Sequence, residues 1–255
     1  MKTADWLQPG KPLIGPFIRI PRAEVVEILA LAGCDYAVVD LEHGPIGHHE
    51  IYPLILAAER RGMPLLARLP GLDEAHAKWL LDQGIAGLQI PHIQTADDAR
   101  RAVAMSKFAP MGARGLCRFT RAAEYSNLPK EAYLAGANSS SALVLQIEGR
   151  EGADNIEAIC AVPGIDVIFV GPYDLSQSMG LIGQIWHAEV VARVSSIVAT
   201  CARAGIRTGV FTDTPEGVAH WARLGVTYIT YRIEAELFLT AMKAALAEAR
   251  GGLAR

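Results

Sequence analysis

Residues Asp35–Pro45 read DYAVVDLEHGP, an apolar run that stops on charged residues. The apolar part, Tyr36–Val39, has the length and composition of a buried strand. Two carboxylates and an imidazole follow it, at Asp40, Glu42 and His43, before a Gly-Pro pair ends the run. The pattern indicates either a strand that simply meets water or a strand whose end carries chemistry. The rest of the chain has to decide between the two.

Short apolar runs alternate along the chain with longer segments of helical period. We predict strands at Leu13–Ile18, Asp35–Leu41, Pro64–Leu69, Gly87–Pro91, Ala142–Glu148, Val167–Val170, Ile206–Phe211 and Thr227–Tyr231. We predict helices at Ala23–Ala32, His48–Arg61, Asp73–Asp82, Thr95–Phe108, Asn155–Ala161, Ala188–Ala204, Thr214–Leu224 and Glu234–Ala249. Eight strand–helix units whose strands lack polar alternation predict a parallel sheet closed into a (β/α)8 TIM barrel, one domain over residues 1–255. An open doubly wound sheet is the alternative fold.

Composition excludes several classes of protein. The chain has 255 residues, 51% of them hydrophobic, and a net charge of −3, without the clustered Lys and Arg of a nucleic-acid surface. It has no apolar run long enough to span a membrane, and its beginning lacks the apolar core of a secretory signal. Four separated cysteines form no CxxC motif. We therefore expect a cytoplasmic protein with neither nucleic acid nor membrane as a partner.

Polar residues follow the predicted strands at their carboxyl ends, where barrel enzymes have their active sites. They are Asp40, Glu42 and His43 after the second strand, Arg68 in the third, Gln89 and His92 in and after the fourth, Gln146 and Glu148 in the fifth, and Asp174 after the sixth. The carboxyl ends of parallel strands meet at one rim. The charged end of the opening stretch is therefore one contribution to a shared polar site.

Glu148 and Asp174 come from neighbouring strands, and two ionised carboxylates in an apolar barrel mouth repel each other. A divalent cation such as Mg²⁺ or Mn²⁺ resolves that repulsion, whereas the alternative is a pair of solvated acids. His43 is a candidate general base, and Asp40 could orient it. His92 is a rival for these roles, although we expect a polar residue with satisfied hydrogen bonds there rather than a ligand.

Two further features suit an anionic substrate. Arg68 offers a fixed fork of donors for an oxyanion or a carboxylate, the alternative being a surface ion pair. Gly171-Pro172 before Tyr173-Asp174 forms a tight turn that could aim main-chain N–H groups at an anion, although Gly-Pro is common in loops. None of the six lysines lies near the carboxyl end of a predicted strand, which excludes a Schiff-base aldolase. A P-loop and a GxGxxG motif are both absent from the sequence, so a nucleotide cofactor has no support.

Several stretches taken together resemble the class II pyruvate aldolases of the 4-hydroxy-2-oxoheptane-1,7-dioate aldolase type, which include 2-keto-3-deoxy-sugar-acid aldolases. These are DYAVVDLEHGP, LLARLP, LLDQGIAGLQIPHIQTADDARRAV, GARG and LVLQIEGREGADNIEAICAVPGIDVIFVGPYDLSQSMG. The resemblance implies reversible, metal-dependent cleavage of 4-hydroxy-2-oxo acids to an aldehyde and pyruvate or hydroxypyruvate. It implies that Glu148 and Asp174 hold Mg²⁺, Mn²⁺ or Co²⁺. Arg68 then stands at the keto oxygen of the substrate.

The same resemblance implies that His43 transfers protons and that Asp82 of a neighbouring subunit orients it, within a hexamer whose last helix, about 234–250, is exchanged. The substrate is expected at Gln146 and along Gly171, Pro172, Tyr173 and Asp174. A citrate-lyase-β-like or malyl-CoA-type lyase is the alternative, but those barrels usually carry Asp where this chain has His43. The stretches RGLCRFTRAAEYS and VTYITYRIEAELF depart from the heptanedioate enzymes. They leave the natural aldehyde open.

Overall fold

The computed structural model describes residues 6–7 and 11–253, apart from the side chain of Ala135. Eight parallel strands close into a barrel in the order of the sequence, which confirms the predicted (β/α)8 fold and excludes the open sheet. The strands are β1 (Leu13–Ile18), β2 (Ala37–Asp40), β3 (Leu65–Arg68), β4 (Gly87–Ile90), β5 (Ala142–Ile147), β6 (Val167–Val170), β7 (Arg207–Thr212) and β8 (Tyr228–Ile233).

Helices surround the barrel and connect its strands. Their bounds are α1 (Ala23–Leu31), α2 (His48–Arg61), α3 (Glu74–Asp82), α4 (Ala96–Ser106), α5 (Lys130–Ser140), α6 (Arg150–Asp154), α7 (Ile156–Cys160), α8 (Pro172–Ser178), α9 (Ala188–Ala204), α10 (Pro215–Arg223) and α11 (Glu234–Leu253). The sequence did not predict α5, α6 or α8. Part of the helix predicted at Asn155–Ala161 is present as α7. None of the described helices has the length and apolar character needed to cross a membrane.

Side-chain capping explains where several helices begin. The side chains of Asp73, Thr95 and Thr214 accept hydrogen bonds from main-chain N–H groups in the first turns of α3, α4 and α10. Each of these caps satisfies a donor that the helix itself cannot pair. The starts predicted at these three residues are therefore correct to within one residue, because the predicted bounds included the cap.

Alternation of side chains along the strands decides what lies inside the barrel mouth. Val38 and Leu66 belong to the apolar cluster that fills the barrel interior. Successive side chains of a strand point to opposite faces, so Asp40 and Arg68, two residues further on, also point inward. The register places Asp40 beside Arg68 and Arg68 beside Gln89. A ring of polar side chains therefore covers the carboxyl end of an apolar interior.

Candidate active site

Arg68 is at the centre of the polar cluster and is almost fully buried, with 8% of its side chain exposed. Its Nε and Nη2 atoms donate to the two carboxylate oxygens of Asp40 at 3.0 and 2.9 Å. Its Nη1 atom lies 3.0 Å from Glu42 Oε2. One face of the guanidinium covers the Phe17 ring, with 4.3 Å between Cζ and the ring centroid. These contacts fix the orientation of the fork.

Asp40 is fully buried and binds two arginines, since Arg19 Nε also donates to its Oδ2 at 2.8 Å. Burial by itself would raise the pKa of Asp40, but the hydrogen bonds and charge of Arg68 outweigh it and hold that pKa below its ordinary value. The main-chain N–H of His43 donates to Asp40 Oδ1 at 3.2 Å. The described contacts of the Asp40 carboxylate therefore hold Arg68 and the main chain at His43 in place. That Asp40 also orients the His43 imidazole stays a prediction.

A second acidic group lies beside Arg68 and contains Glu42, His92 and Glu148. His92 bridges the two carboxylates, with Nε2 2.9 Å from Glu42 Oε1 and Nδ1 2.9 Å from Glu148 Oε1. The main-chain N–H of His92 also donates to Glu148 Oε1 at 2.8 Å, and the residue has a left-handed φ of 59°. A non-glycine residue in that conformation is uncommon and is often found at functional sites.

Buried amides continue the cluster across the barrel. Gln89 donates through Nε2 to Gln146 Oε1, and Gln146 donates through its own Nε2 to Glu148 Oε2. Burial raises the pKa of Glu148, although the hydrogen bonds from Gln146 and His92 act in the opposite direction. The amide of Gln146 therefore stabilises the carboxylate of Glu148 in a mostly dry environment.

The turn after β6 comes close to this carboxylate. A side chain at Gly171 would place its Cβ 3.0 Å from Glu148 Oε2, so only glycine fits without a shift. The Gly171 N–H donates to Ile147 O at 3.1 Å and is already used, and Pro172 has no N–H. Tyr173 and Asp174, in the first turn of α8, are therefore the remaining main-chain donors of the predicted carboxylate-binding turn.

Part of this cluster borders an open cavity of about 580 Å³ at the barrel mouth. Its deep part includes Arg68, Gln146 and Gly171, and the exposed carboxylate of Asp174 borders it too. Its outer part includes the Tyr173 hydroxyl, which donates to Asp213 Oδ2 at 2.6 Å. Burial and this carboxylate raise the pKa of Tyr173 to about 12.

The model of the family described as HpcH/HpaI aldolase/citrate lyase matches residues 13–241. This chain belongs to that family.

Among its curated relatives, a hydroxypyruvate/pyruvate aldolase of Sagittula stellata is 34% identical over 242 residues, 95% of each chain. A 2-dehydro-3,6-dideoxy-6-sulfogluconate aldolase of Pseudomonas putida is 34% identical over 215 residues, 84% of each chain. A solved structure, that of an HpcH/HpaI aldolase/citrate lyase family protein from Burkholderia cenocepacia J2315, superposes with a TM-score of 0.90 and 32% sequence identity. The match covers 96% of this chain and 98% of that chain. The aldolase family and its aldolase relatives support the prediction of a carbon–carbon lyase.

Residues at the mouth fit the divalent cation that the aldolase resemblance implies. Glu148 and Asp174 supply carboxylate oxygens, the ligands that hard cations prefer. Glu42 Oε2 is buried and, although it is 3.0 Å from Arg68 Nη1, it has no aligned hydrogen bond among the described residues. Glu42, His92 and Glu148 form a second possible set of metal ligands, because His92 bridges the two carboxylates. Their ligand atoms lie within 4.8 Å of one another. Sequence reasoning left Glu42 without a role in this set and regarded His92 as a less probable ligand.

The buried Lys107 lies away from the barrel mouth. Its Nζ donates to the main-chain oxygens of Asn138 and Ser141 at 2.9 and 2.6 Å, and Ser141 directly precedes β5. Burial lowers the pKa of Lys107, against the charge of Asp166 3.8 Å away. These partners lie at the amino ends of the strands, so this lysine belongs to the structural core of the opposite face.

Asp82 ends α3 on that same opposite face, as the topology predicted. It is 9% exposed, and its Oδ1 accepts a 2.6 Å hydrogen bond from Arg114. Arg114 borders a cavity of about 760 Å³, larger than the one at the mouth, together with Met63, Ile85 and Tyr133. That cavity contains none of the proposed catalytic groups of its own chain.

Proposed function

We propose that this protein catalyses the reversible, divalent-metal-dependent aldol cleavage of 4-hydroxy-2-oxo acids to an aldehyde and pyruvate or hydroxypyruvate. The observation that carries the proposal is the Arg68 fork, fixed by Asp40 and directed along the acidic cluster at the barrel mouth. The curated relative that acts as a hydroxypyruvate/pyruvate aldolase supports the choice of donor.

We propose Glu148 and Asp174 as the metal ligands, with Glu42 and His92 beside them. A bound divalent cation would act as a Lewis acid that polarises the keto group of the substrate. Arg68 donates to the same keto oxygen and stabilises the negative charge that develops when the C3–C4 bond breaks. Gln146 and the main-chain N–H groups of Tyr173 and Asp174 bind the substrate carboxylate.

His43 moves the protons. It is half exposed at the mouth, with 53% of its side chain accessible, and its Nε2 lies 3.8 Å from Glu42 Oε2. In cleavage it takes the proton of the C4 hydroxyl, and in synthesis it helps to remove a proton from C3 of pyruvate. We propose that Asp82 of a neighbouring subunit orients this imidazole. Such a carboxylate would hold the correct tautomer.

The proposed hexamer with an exchanged last helix has one supporting feature in the chain itself. Helix α11 exposes a large apolar surface, with Phe238 68%, Leu239 53% and Met242 49% accessible. Side chains of this kind are seldom left in water along one helix, and a partner subunit would cover them.

The test is a panel of aldehydes offered with pyruvate and with hydroxypyruvate, with and without added metal. We expect condensation that a chelator abolishes and that Mg²⁺, Mn²⁺ or Co²⁺ restores. Trapping of the protein by borohydride in the presence of pyruvate would refute a lysine-independent mechanism. Cleavage of a coenzyme A thioester without aldol activity would favour the citrate-lyase-β-like alternative.

Direct Mn²⁺ binding separates the two ligand sets without relying on turnover. Electron paramagnetic resonance of free Mn²⁺ gives the dissociation constant for Glu148→Gln, Asp174→Asn and His92→Ala. Our assignment predicts weak binding in the first two variants and a much smaller loss in the third. A large loss in His92→Ala, with normal binding in Asp174→Asn, would assign the metal to Glu42, His92 and Glu148 instead.

A further inference from the structure

Arg232 borders the active-site cavity from an unusual backbone position near the end of β8. The pairing of β8 with β1 runs regularly to Gly15–Thr230 and resumes at Phe17–Ile233, so β8 has one extra residue in between. Within this bulge Arg232 has a φ of 63°. Bulges near active sites redirect side chains, and a left-handed non-glycine residue costs free energy that a functional constraint can explain.

The guanidinium of Arg232 has a firm hydrogen bond at Nε and a weak contact at Nη1. Its Nε donates to Asp213 O at 2.8 Å, which fixes the plane of the group. Its Nη1 has a long contact of 3.5 Å to Glu236 Oε2, and 25% of the side chain is exposed. Glu236 is itself drawn along α11, because its Oε1 accepts a 2.8 Å hydrogen bond from Thr240. A partly exposed ion pair at this distance is weak.

Three charged groups at or near the outer mouth are more firmly engaged. The carboxylate of Asp213 accepts the hydroxyl of Tyr173, and Arg19 donates through Nε to Asp40. Glu234 Oε1 accepts the main-chain N–H groups of Arg19 and Ile20 at 2.7 and 2.5 Å, which ties the chain after β8 to the chain after β1. The backbone that carries Arg232 is therefore anchored before any ligand arrives.

Given the proposed aldolase function, on which this step rests, we propose that Arg232 determines acceptor specificity. It binds a carboxylate, sulfonate or phosphate at the far end of the aldehyde. The cavity already has its deep end, at Arg68 and Gln146, assigned to the keto acid. Arg232 borders the outer part of that same cavity, and its weakly engaged Nη groups have the planar geometry that such oxyanions accept.

The test compares succinic semialdehyde with butanal, aldehydes of equal chain length that differ in a terminal carboxylate, each condensed with pyruvate. The variants are Arg232→Met, which keeps an unbranched apolar stem but removes the guanidinium, and Arg232→Gly, which suits the left-handed backbone and should fold. We expect the ratio of kcat/KM for succinic semialdehyde to that for butanal to fall about 10-fold or more in both variants, mainly through KM. Glyceraldehyde 3-phosphate against glyceraldehyde shows whether phosphate is preferred to carboxylate.

Glu236→Gln is the matched control, because it removes the acid that competes for the guanidinium. Our inference predicts that the ratio of kcat/KM for succinic semialdehyde to that for butanal rises in Glu236→Gln. If Arg232 and Glu236 form only a surface ion pair, the ratio should not change in Glu236→Gln or in the Arg232 variants. An unchanged ratio in Arg232→Met and Arg232→Gly, or an equal fall for both aldehydes, would overturn the specificity role. If the native protein condenses neither aldehyde with pyruvate although it exchanges the C3 protons of pyruvate, the inference is wrong and the donor chemistry survives. If it does neither, the proposed function itself fails.

Discussion

Replacing Arg68 by lysine tests the chemical core of the proposed mechanism. The substitution keeps a positive charge but removes the planar fork, which here makes contacts of 3.0 and 2.9 Å to Asp40 and of 3.0 Å to Glu42. A lysine ammonium is a single point of charge on a flexible stem. It can approach one of these oxygens closely, and we expect at least two of the three contacts to be lost.

Both stability and activity should respond. A hydrogen bond to a charged group makes a net contribution of about 1.5–3 kcal/mol to stability. Losing two of them at this buried site should therefore lower the free energy of unfolding by roughly 3 kcal/mol or more. The loss of one preorganised oxyanion donor costs about 10²–10³ in kcat. We therefore expect Arg68→Lys to fold with a reduced melting temperature and to lose about 100-fold or more in kcat.

The assay follows pyruvate released from a 4-hydroxy-2-oxo acid, at saturating metal and well below the melting temperature of the variant. Arg19→Lys is the matched control, because Arg19 donates to the same Asp40 carboxylate from a more exposed position, with 32% of its side chain accessible. Its kcat should fall much less. If Arg68→Lys turns over at nearly the native rate, the planar fork is not what stabilises the enolate, and the mechanism has to be revised.

Two further predictions concern residues on the opposite face of the barrel. Lys107→Met leaves two buried main-chain carbonyls without their donor and should lower the free energy of unfolding by about 2–4 kcal/mol with little change in kcat, whereas the exposed Lys130→Met should change neither. Chemical denaturation and steady-state kinetics check this, and a large kcat loss in Lys107→Met would contradict it. Asp82→Ala and His43→Ala should each inactivate the enzyme, and mixed oligomers of the two should regain part of the activity. If subunits demonstrably exchange without that recovery, or if the active protein is a monomer, the shared site is wrong.

The barrel could be predicted because the strands are short and mostly buried, and because capping residues mark the starts of α3, α4 and α10. Prediction was weakest where packing rather than pattern decides. Helix α5 lies in a stretch with few apolar periodic residues, and part of it packs through Tyr133 against Phe108. Helix α8 begins at Pro172, directly after the strand, where Gly-Pro indicated a turn. The helix continues because proline is well suited to a first helical position.

The rim residues of the site followed from their positions at the carboxyl ends of the predicted strands, where barrel enzymes have their active sites. The sequence pattern could not show which rim residues contact one another. Asp40 and His43 are close in sequence, which suggested that one orients the other. The structure adds the partner that the sequence did not give, since Asp40 lies beside Arg68 and binds it, and the orientation of His43 stays a prediction. The position of Arg232 depends on a bulge, and one extra residue in a ladder has no signature in a sequence read alone.

The charges of the cluster support the proposal that a cation binds at this rim. Asp40, Glu42 and Glu148 bring three carboxylates together, and Arg68 and Arg19 bring two guanidinium groups. Asp40 takes up most of the arginine contacts, so Glu42 and Glu148 face each other across His92. Burial raises the pKa of Glu148 and the nearby charge of Glu42 adds to the shift, although the hydrogen bonds of Gln146 and His92 act against it. A divalent cation would compensate the negative charge of these carboxylates and would bind the keto acid beside Arg68. The excess of negative charge, which is unfavourable when buried, would therefore favour binding of the metal that stabilises an enolate.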